Sequence, residues 1–304
     1  MLFGLYGSPG PPTVPRMDQG SEYLRRVVAF ALAEDVASGD VTTKATVRKG
    51  HIARATLVAK QDGVLSGREV ADAVFAELDR SVKIDWEYED SDRLTSGSKV
   101  ATLSGPLASI LTGERVALNF LGHLSGIATL TRRFVETIDG HQARILDTRK
   151  TLPGIRHLQK YAVRCGGGEN HRLGLYDMVL VKENHIKAAG GMLPAIKAAL
   201  ISAASARPRL AVEVEVQSVK DAALAAGLTV DRVMLDNMPI EEMRKAVSRI
   251  RDISAESGKF VAVEASGNVT LENVHAIAET GVDFISVGVL THSAPAFDFS
   301  LLVT

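Results

Sequence analysis

I-L-D-T-R-K-T-L-P-G at 145–154 and R-C-G-G-G-E-N-H-R-L-G-L-Y-D-M-V-L-V-K-E-N-H-I at 164–186 flank a short amphipathic segment, and their reading decides the rest of the chain. Between Arg144 and Lys187 stand five Arg, four Lys, three His and four acidic residues, a formal excess of +5 in a chain whose total is −1. These cations are placed, not strung out. Arg149-Lys150 follow an apolar run, His171-Arg172 follow a triple glycine, and Lys182 ends a second apolar run. Such placement aims positive charge at one spot, and a small polyanion is the occupant it suits.

Outward from this stretch the pattern repeats. Short apolar runs at 143–146, 178–181, 211–214, 232–235, 260–263 and 283–287 alternate with helical segments at 155–165, 192–203, 219–226, 239–250 and 271–280. Near-continuous apolar strands separated by helices predict parallel β/α units buried on both faces. Six units make an incomplete barrel, with a doubly wound open sheet as the alternative. Ser218 with Asp221 reads as a capping box, Pro239 suits a first helical turn and Thr270 an N-cap. Gly227 and Gly281 suit positions just past helix ends.

What ends each strand matters most. Asp147 with Arg149-Lys150, then Lys182, Glu215, Asp236-Asn237, Glu264-Ala265-Ser266-Gly267-Asn268 and Gly288 follow the six runs. Parallel strands bring their carboxyl ends to one face, so these residues are gathered at one mouth. Arg149, Arg172, Lys182 and His171, with Lys150 beside them, form a cationic subset; two guanidiniums suit two carboxylates on a flat ring. Glu215 and Asp236 suit Mg²⁺ or sugar hydroxyls, or the role of general base. Ser266-Gly267 and Gly288 let backbone N–H groups approach a phosphate.

The first hundred residues read differently. Leu24, Val27, Val28, Ala31 and Leu32 recur at helical spacing, with Ser21 as N-cap. Strands are expected at 52–64, 82–87 and 99–103, and helices at 68–78 and 107–138, the last with breaks at Gly122 and Gly126. The division expected is a flexible extension at 1–19, with three Gly and four Pro between 7 and 20, an N-terminal α/β sandwich domain at 20–126, and a barrel at 127–289, with the tail 290–304 returning to the first domain. Arg115, alone, reads as a surface helix cation.

Composition excludes several classes. With 46% apolar and 23% charged residues and a near-zero net charge, the chain lacks the broad basic surface of a nucleic-acid or anionic-membrane binder. It has no apolar run long enough to span a bilayer and no signal-peptide pattern. The single cysteine, Cys165, reads as a small buried residue. It excludes an intrachain disulfide, and a reducing, cytoplasmic compartment is expected.

D-T-R-K-T-L-P-G at 147–154, Y-A-V-R-C-G-G-G-E-N-H-R-L-G-L-Y-D at 161–177 and K-E-N-H-I at 182–186 resemble the quinolinate phosphoribosyltransferase family of type II phosphoribosyltransferases. The likeness continues through E-D-V-A-S-G-D-V-T-T at 34–43, G-E-R-V-A-L-N at 113–119, E-V-E-V at 213–216, L-D-N at 235–237, E-A-S-G at 264–267 and V-G-V-L-T-H-S at 287–293. It implies transfer of phosphoribose from phosphoribosyl pyrophosphate to quinolinate, giving nicotinate mononucleotide, pyrophosphate and CO₂ in NAD synthesis. It implies an α/β sandwich domain followed by an incomplete α/β barrel. A homodimer or dimer-based hexamer is implied, with the site shared between subunits. By position, Arg149, His171, Arg172 and Lys182 contact quinolinate, and Arg115 reaches it from the neighbouring subunit. Lys150, Glu215 and Asp236 hold ribose, pyrophosphate and Mg²⁺, while Ser266, Gly267 and Gly288 line the 5′-phosphate pocket. Two positions depart from the family pattern: Glu183 replaces Asp, and Asn268 replaces a second Gly. The rival readings are a related phosphoribosyltransferase found with molybdate-transport proteins and a non-catalytic anion-binding module on the same fold.

Overall fold

The structure is a computed structural model and describes residues 22–304; the 1–19 extension and the Ser21 cap lie outside the described residues. Its strands are β1 (Ile52–Ala59), β2 (Gly63–Val64), β3 (Lys83–Trp86), β4 (Arg93–Leu94), β5 (Lys99–Pro106), β6 (Arg144–Leu146), β7 (Val179–Val181), β8 (Val212–Val216), β9 (Arg232–Asp236), β10 (Ala262–Ser266), β11 (Phe284–Ser286) and β12 (Phe299–Val303). The chain divides into two compact units. One comprises the residues up to Arg132, Leu152–Gly167 and Ser293–Thr304; the other comprises Arg133–Thr151 and Gly168–His292.

In the first unit an antiparallel sheet runs β12-β1-β5-β3. Strand β1 alternates, so Ala55, Leu57 and Ala59 are buried while their neighbours are not, the period-two pattern of a sheet with one covered face. Helix Leu107–Thr137 runs unbroken, so Gly122 and Gly126 are not breaks. A Cβ on Gly122 would lie 2.8 Å from the Phe297 carbonyl oxygen, and one on Gly126 2.1 Å from that of Pro295. The glycines let the tail lie against the helix, where Phe297 N–H donates to Gly122 O at 2.8 Å.

The division expected at 126/127 falls inside this helix. Helix Arg156–Cys165, expected within the barrel domain, groups with the first unit. The reason is packing: Tyr161 and Cys165 share a buried cluster with Val64 and Ala128. The Tyr161 hydroxyl also donates to Asp90 at 2.7 Å. Cys165 is free and fully buried, the small buried residue expected.

The second unit is a six-stranded parallel sheet in the order β6-β11-β10-β9-β8-β7. From β7 to β11 the order is sequential, and β6 returns beside β11. That is the cyclic order of a barrel opened between β6 and β7; a doubly wound sheet would reverse direction at a switch point. In the gap, Glu169 bridges Leu146, with Glu169 N–H donating to Ile145 O and Asp147 N–H to Glu169 O. The strands are nearly continuous in burial: Val212, Val214 and Val216 in β8, and Val233, Met234 and Leu235 in β9. Helices intervene at Glu183–Ala188, Met192–Ser205, Val219–Gly227, Ile240–Ser257 and Val274–Ala278. Ser218 caps as expected, its Oγ accepting Asp221 N–H at 3.1 Å. The helix expected from Leu271 begins only at Val274, with Asn273 and not Thr270 at its N-cap.

Candidate active site

A cleft of about 530 Å³ opens at the carboxyl ends of the barrel strands, a volume suited to a small organic ligand. Arg149, Lys150, His171, Arg172, Lys182, Glu215, Asp236, Ser266 and Gly267 all line it. Nine of the eleven candidates therefore converge from six separate stretches of chain. Gly288 is not in the lining, but a Cβ there would lie 3.3 Å from Lys150 Cδ. Its missing side chain leaves room for the lysine. Arg115 is exposed on helix Leu107–Thr137, in the first unit, and is not among the residues lining this cleft.

The cleft carries four permanent cations and two carboxylates. Lys182 is ion-paired with Glu215. Burial first, and the nearby Arg149 guanidinium second, push the Arg172 pKa down. A guanidinium stays charged nonetheless, so Arg149 and Arg172 repel each other at close range. Arg149 Nε is buried and meets no acceptor among the described residues. A buried donor without an acceptor costs about 1–3 kcal/mol, and an anion in the cleft would supply one.

The loop before β7 is pinned from several sides. Asp147, fully buried, accepts His171 N–H at 2.9 Å and Asn170 Nδ2 at 2.6 Å. Asp177 accepts the N–H groups of Leu173 and Gly174, and Arg172 Nη1 donates to Met178 O at 3.3 Å. Thus the arginine is positioned by its own loop before any ligand arrives.

Asp236 is held on both oxygens. Gln217 Nε2 donates to one at 3.2 Å and Asn237 Nδ2 to the other at 3.1 Å. Asn268 Nδ2 in turn donates to Asn237 Oδ1 at 3.1 Å, so the side chain that replaces the family's glycine has a definite task. Asn268 and Asn237 both adopt positive φ, +49° and +52°, which asparagine tolerates. Gly267 has φ +100°, and a Cβ there would lie 2.3 Å from Asn237 Oδ1, so only glycine fits this turn.

Beneath the mouth lies a buried layer made of Glu213, which strand ends do not mark, and Glu264, expected just past the fifth run but lying within β10. Glu213 stands two residues before Glu215 on β8 and therefore faces the same way; it is 0% exposed, as is Glu264 on β10. His171 Nε2 lies 3.0 Å from Glu213 Oε2 and 3.5 Å from Glu264 Oε1. Arg232 on β9 pairs with Glu264 at 2.7 Å and rests over the Phe284 ring, and the Ser286 hydroxyl donates to Glu264. Within V-E-V-E-V at 212–216, the signal available was the charge two residues below a mouth residue.

Burial, and then the Glu264 charge, raise Glu213 to about 7. Burial opposes charge on His171, but Glu213 and Glu264 outweigh it and pull the ring toward about 9. Arg172 N–H faces His171 Nδ1 at 2.7 Å, however, which requires a bare lone pair on that nitrogen. A protonated ring beside an ionised Glu213 and a neutral ring beside a protonated one hold the same number of protons. The Arg172 contact decides between them, placing the hydrogen on Nε2 and the shared proton on Glu213. The three ligand atoms lie within 4.8 Å of one another, and Arg232 and Ser286 hold Glu264.

Comparison with known proteins agrees with this geometry. Residues 40–125 match the profile of the quinolinate phosphoribosyl transferase N-terminal domain and residues 127–302 that of the C-terminal domain. The chain is 43% identical to a Nicotiana tabacum protein named quinolinate phosphoribosyltransferase [decarboxylating] 2b, mitochondrial, over 96% of this chain and 84% of that one. It is 41% identical to a probable nicotinate-nucleotide pyrophosphorylase [carboxylating] of Bacillus subtilis, over 92% and 93%. Its structure is similar to that of the nicotinate-nucleotide pyrophosphorylase from Francisella tularensis, with a TM-score of 0.87 and 40% identity over 96% of this chain and 99% of that one. Profile, sequence and fold converge on one assignment: the chain belongs to the quinolinate phosphoribosyltransferase family.

Proposed function

We propose that this protein transfers phosphoribose from phosphoribosyl pyrophosphate to quinolinate with loss of CO₂, giving nicotinate mononucleotide and pyrophosphate. The observation that carries the reading is the buried Arg149 Nε without an acceptor, beside Arg172 in a cleft where cations outnumber carboxylates. A planar dicarboxylate relieves the repulsion between the two guanidiniums and satisfies both.

The division of labour follows from position. Arg149, Arg172 and Lys182, with His171 behind them, hold the diacid. Lys150 faces the departing pyrophosphate. Glu215 and Asp236 face the ribose, where positive charge grows as the C1–O bond breaks. Ser266, Gly267 and Gly288 leave the backbone accessible to the 5′-phosphate. Holding the pyridine nitrogen in line with C1 is the chain's main contribution. The ring nitrogen bonds to C1 and becomes cationic. The C2–carboxylate bond then breaks, its electron pair stays on C2, CO₂ departs and C2 takes up a proton. No side chain needs to act as nucleophile.

Mg²⁺ fits this donor set, because it is ordinarily held by one or two carboxylates together with substrate phosphates. Asp236 is held only by neutral donors, from Gln217 and Asn237, and so keeps its full charge. Bound there, Mg²⁺ would neutralise the pyrophosphate. The exposed Arg115 suits delivery to the cleft of a neighbouring subunit, in a homodimer or dimer-based hexamer. A cytoplasmic location accords with the free, buried Cys165, and no helix among the described residues is long and apolar enough to cross a membrane.

Product analysis tests the reading. With Mg²⁺, quinolinate and phosphoribosyl pyrophosphate, nicotinate mononucleotide and pyrophosphate should accumulate one to one. A non-catalytic binder would yield neither, and equal use of a pyridine monocarboxylate would contradict the paired-arginine argument.

A further inference from the structure

We propose that Glu213 and Glu264 are positioning residues: together they grip His171 Nε2 from beneath, so that Nδ1 accepts the Arg172 backbone N–H and the Arg172 side chain is held toward the cleft. His171 then works through Arg172, and its ring nitrogens do not bond the diacid.

Three observations converge on this. First, both ring nitrogens face groups of the protein: Nδ1 accepts Arg172 N–H at 2.7 Å, and Nε2 lies 3.0 Å from Glu213 and 3.5 Å from Glu264, close enough for charge attraction although off the line of a hydrogen bond. Second, the grip is rigid. Glu213 on β8 and Glu264 on β10 are 0% exposed, and Glu264 is fixed by Arg232 and Ser286. Third, the Arg172 loop is also tied by Asp147 through His171 N–H, so the histidine is anchored by backbone and ring together. A carboxylate that orients a histidine sets which ring nitrogen carries the hydrogen. Here that choice is passed one residue along the chain, to the backbone of an arginine in the cleft.

The inference rests on the reading of the cleft as a quinolinate site only for its effect on affinity. Its core, the ring state of His171, is measured without substrate. Ring-nitrogen NMR of the full-length, histidine-labelled protein gives that state, with His171→Gln identifying the signals. Between the pair's two titrations, at about 7 and about 9, the expected result is hydrogen on Nε2 and none on Nδ1. Glu213→Ala should mix the ring states and weaken quinolinate binding about ten-fold by calorimetry, roughly the loss of one hydrogen-bonded constraint. Glu213→Gln, which keeps an acceptor for Nε2–H, should recover most of both. In that range, a wild-type ring with hydrogen on both nitrogens, or on Nδ1 alone, would overturn the proposal without any variant having to fold. So would a folded Glu213→Ala protein whose His171 spectrum and quinolinate affinity match those of the wild type. If the wild type does not bind quinolinate at all, the function proposed above fails, and the NMR result still decides this one.

Discussion

Lys182 is ion-paired to Glu215 at the mouth of the barrel. The pair means that one cation assigned to the diacid is neutralised by a carboxylate assigned to the sugar. On the roles proposed above, a bound dianion draws Lys182 away and leaves Glu215 facing the ribose. Those roles would couple substrate entry to preparation of the sugar site through one contact.

Glu215→Gln separates the two roles. It should leave quinolinate affinity unchanged or tighter by calorimetry, because Lys182 is released. Turnover should fall by about 10²-fold or more, because a charge facing the developing cation is lost. A variant with weakened quinolinate binding and normal turnover would reverse the assignment.

Arg172→Ala removes half of the paired-guanidinium site. Truncating one partner of a desolvated charge pair costs about 2–5 kcal/mol, so quinolinate affinity should drop by roughly 10²-fold. Relief of the repulsion with Arg149 offsets part of that. Calorimetry with quinolinate checks it, and unchanged affinity would remove Arg172 from the site.

Asn268→Gly restores the residue usual in the family at a position whose φ of +49° glycine accepts readily. Stability should barely change. Asn237 loses its hydrogen bond from Asn268 and with it part of the hold on Asp236. Loss of about 1 kcal/mol corresponds to a rise of roughly five-fold in KM for phosphoribosyl pyrophosphate, with KM for quinolinate unmoved. Steady-state kinetics on both substrates would show it.

The buried cluster also makes stability depend on pH. Glu213 and His171 share protons as a pair, and the pair's two titrations are raised, one from 4.5 to about 7 and the other from 6.5 to about 9. Both folded-state values lie above the unfolded ones, so the folded protein holds extra protons in that window. Their contribution is complete below the unfolded values and is lost as pH rises through about 7 and then about 9. Glu264 is shifted down, with burial opposing His171 and Arg232, so its effect falls at lower pH. The melting temperature should therefore decline from mildly acidic to alkaline pH, and Glu213→Gln should flatten the slope. A melting temperature that rises across this window would contradict the sign.

Much of this site was legible from residue order alone, for a geometric reason. The carboxyl ends of parallel strands share one face, so Lys182, Glu215, Asp236 and Ser266 could be gathered without coordinates. The closure of the sheet was less accessible, since the pairing of β6 with β11 joins residues far apart in sequence. Gly122 and Gly126 suggested helix breaks because a glycine marks flexibility and close approach alike, and only the position of Pro295 and Phe297 separates the two. Helix Arg156–Cys165 followed the local pattern of a barrel helix, but its packing partners Val64 and Ala128 are distant in sequence. Glu213 carries no strand-end signal, although period-two facing places it under Glu215, and Glu264 sits two residues deeper in β10 than the apolar run at 260–263 implies.

Release of CO₂ from carboxyl-labelled quinolinate is the most direct test of the central claim that one cleft holds an aromatic diacid against an activated sugar. The account predicts that label is released only when phosphoribosyl pyrophosphate and Mg²⁺ are both present, in step with pyrophosphate. Quinolinate that binds but keeps its label under those conditions, or loses it without the sugar, would contradict the account.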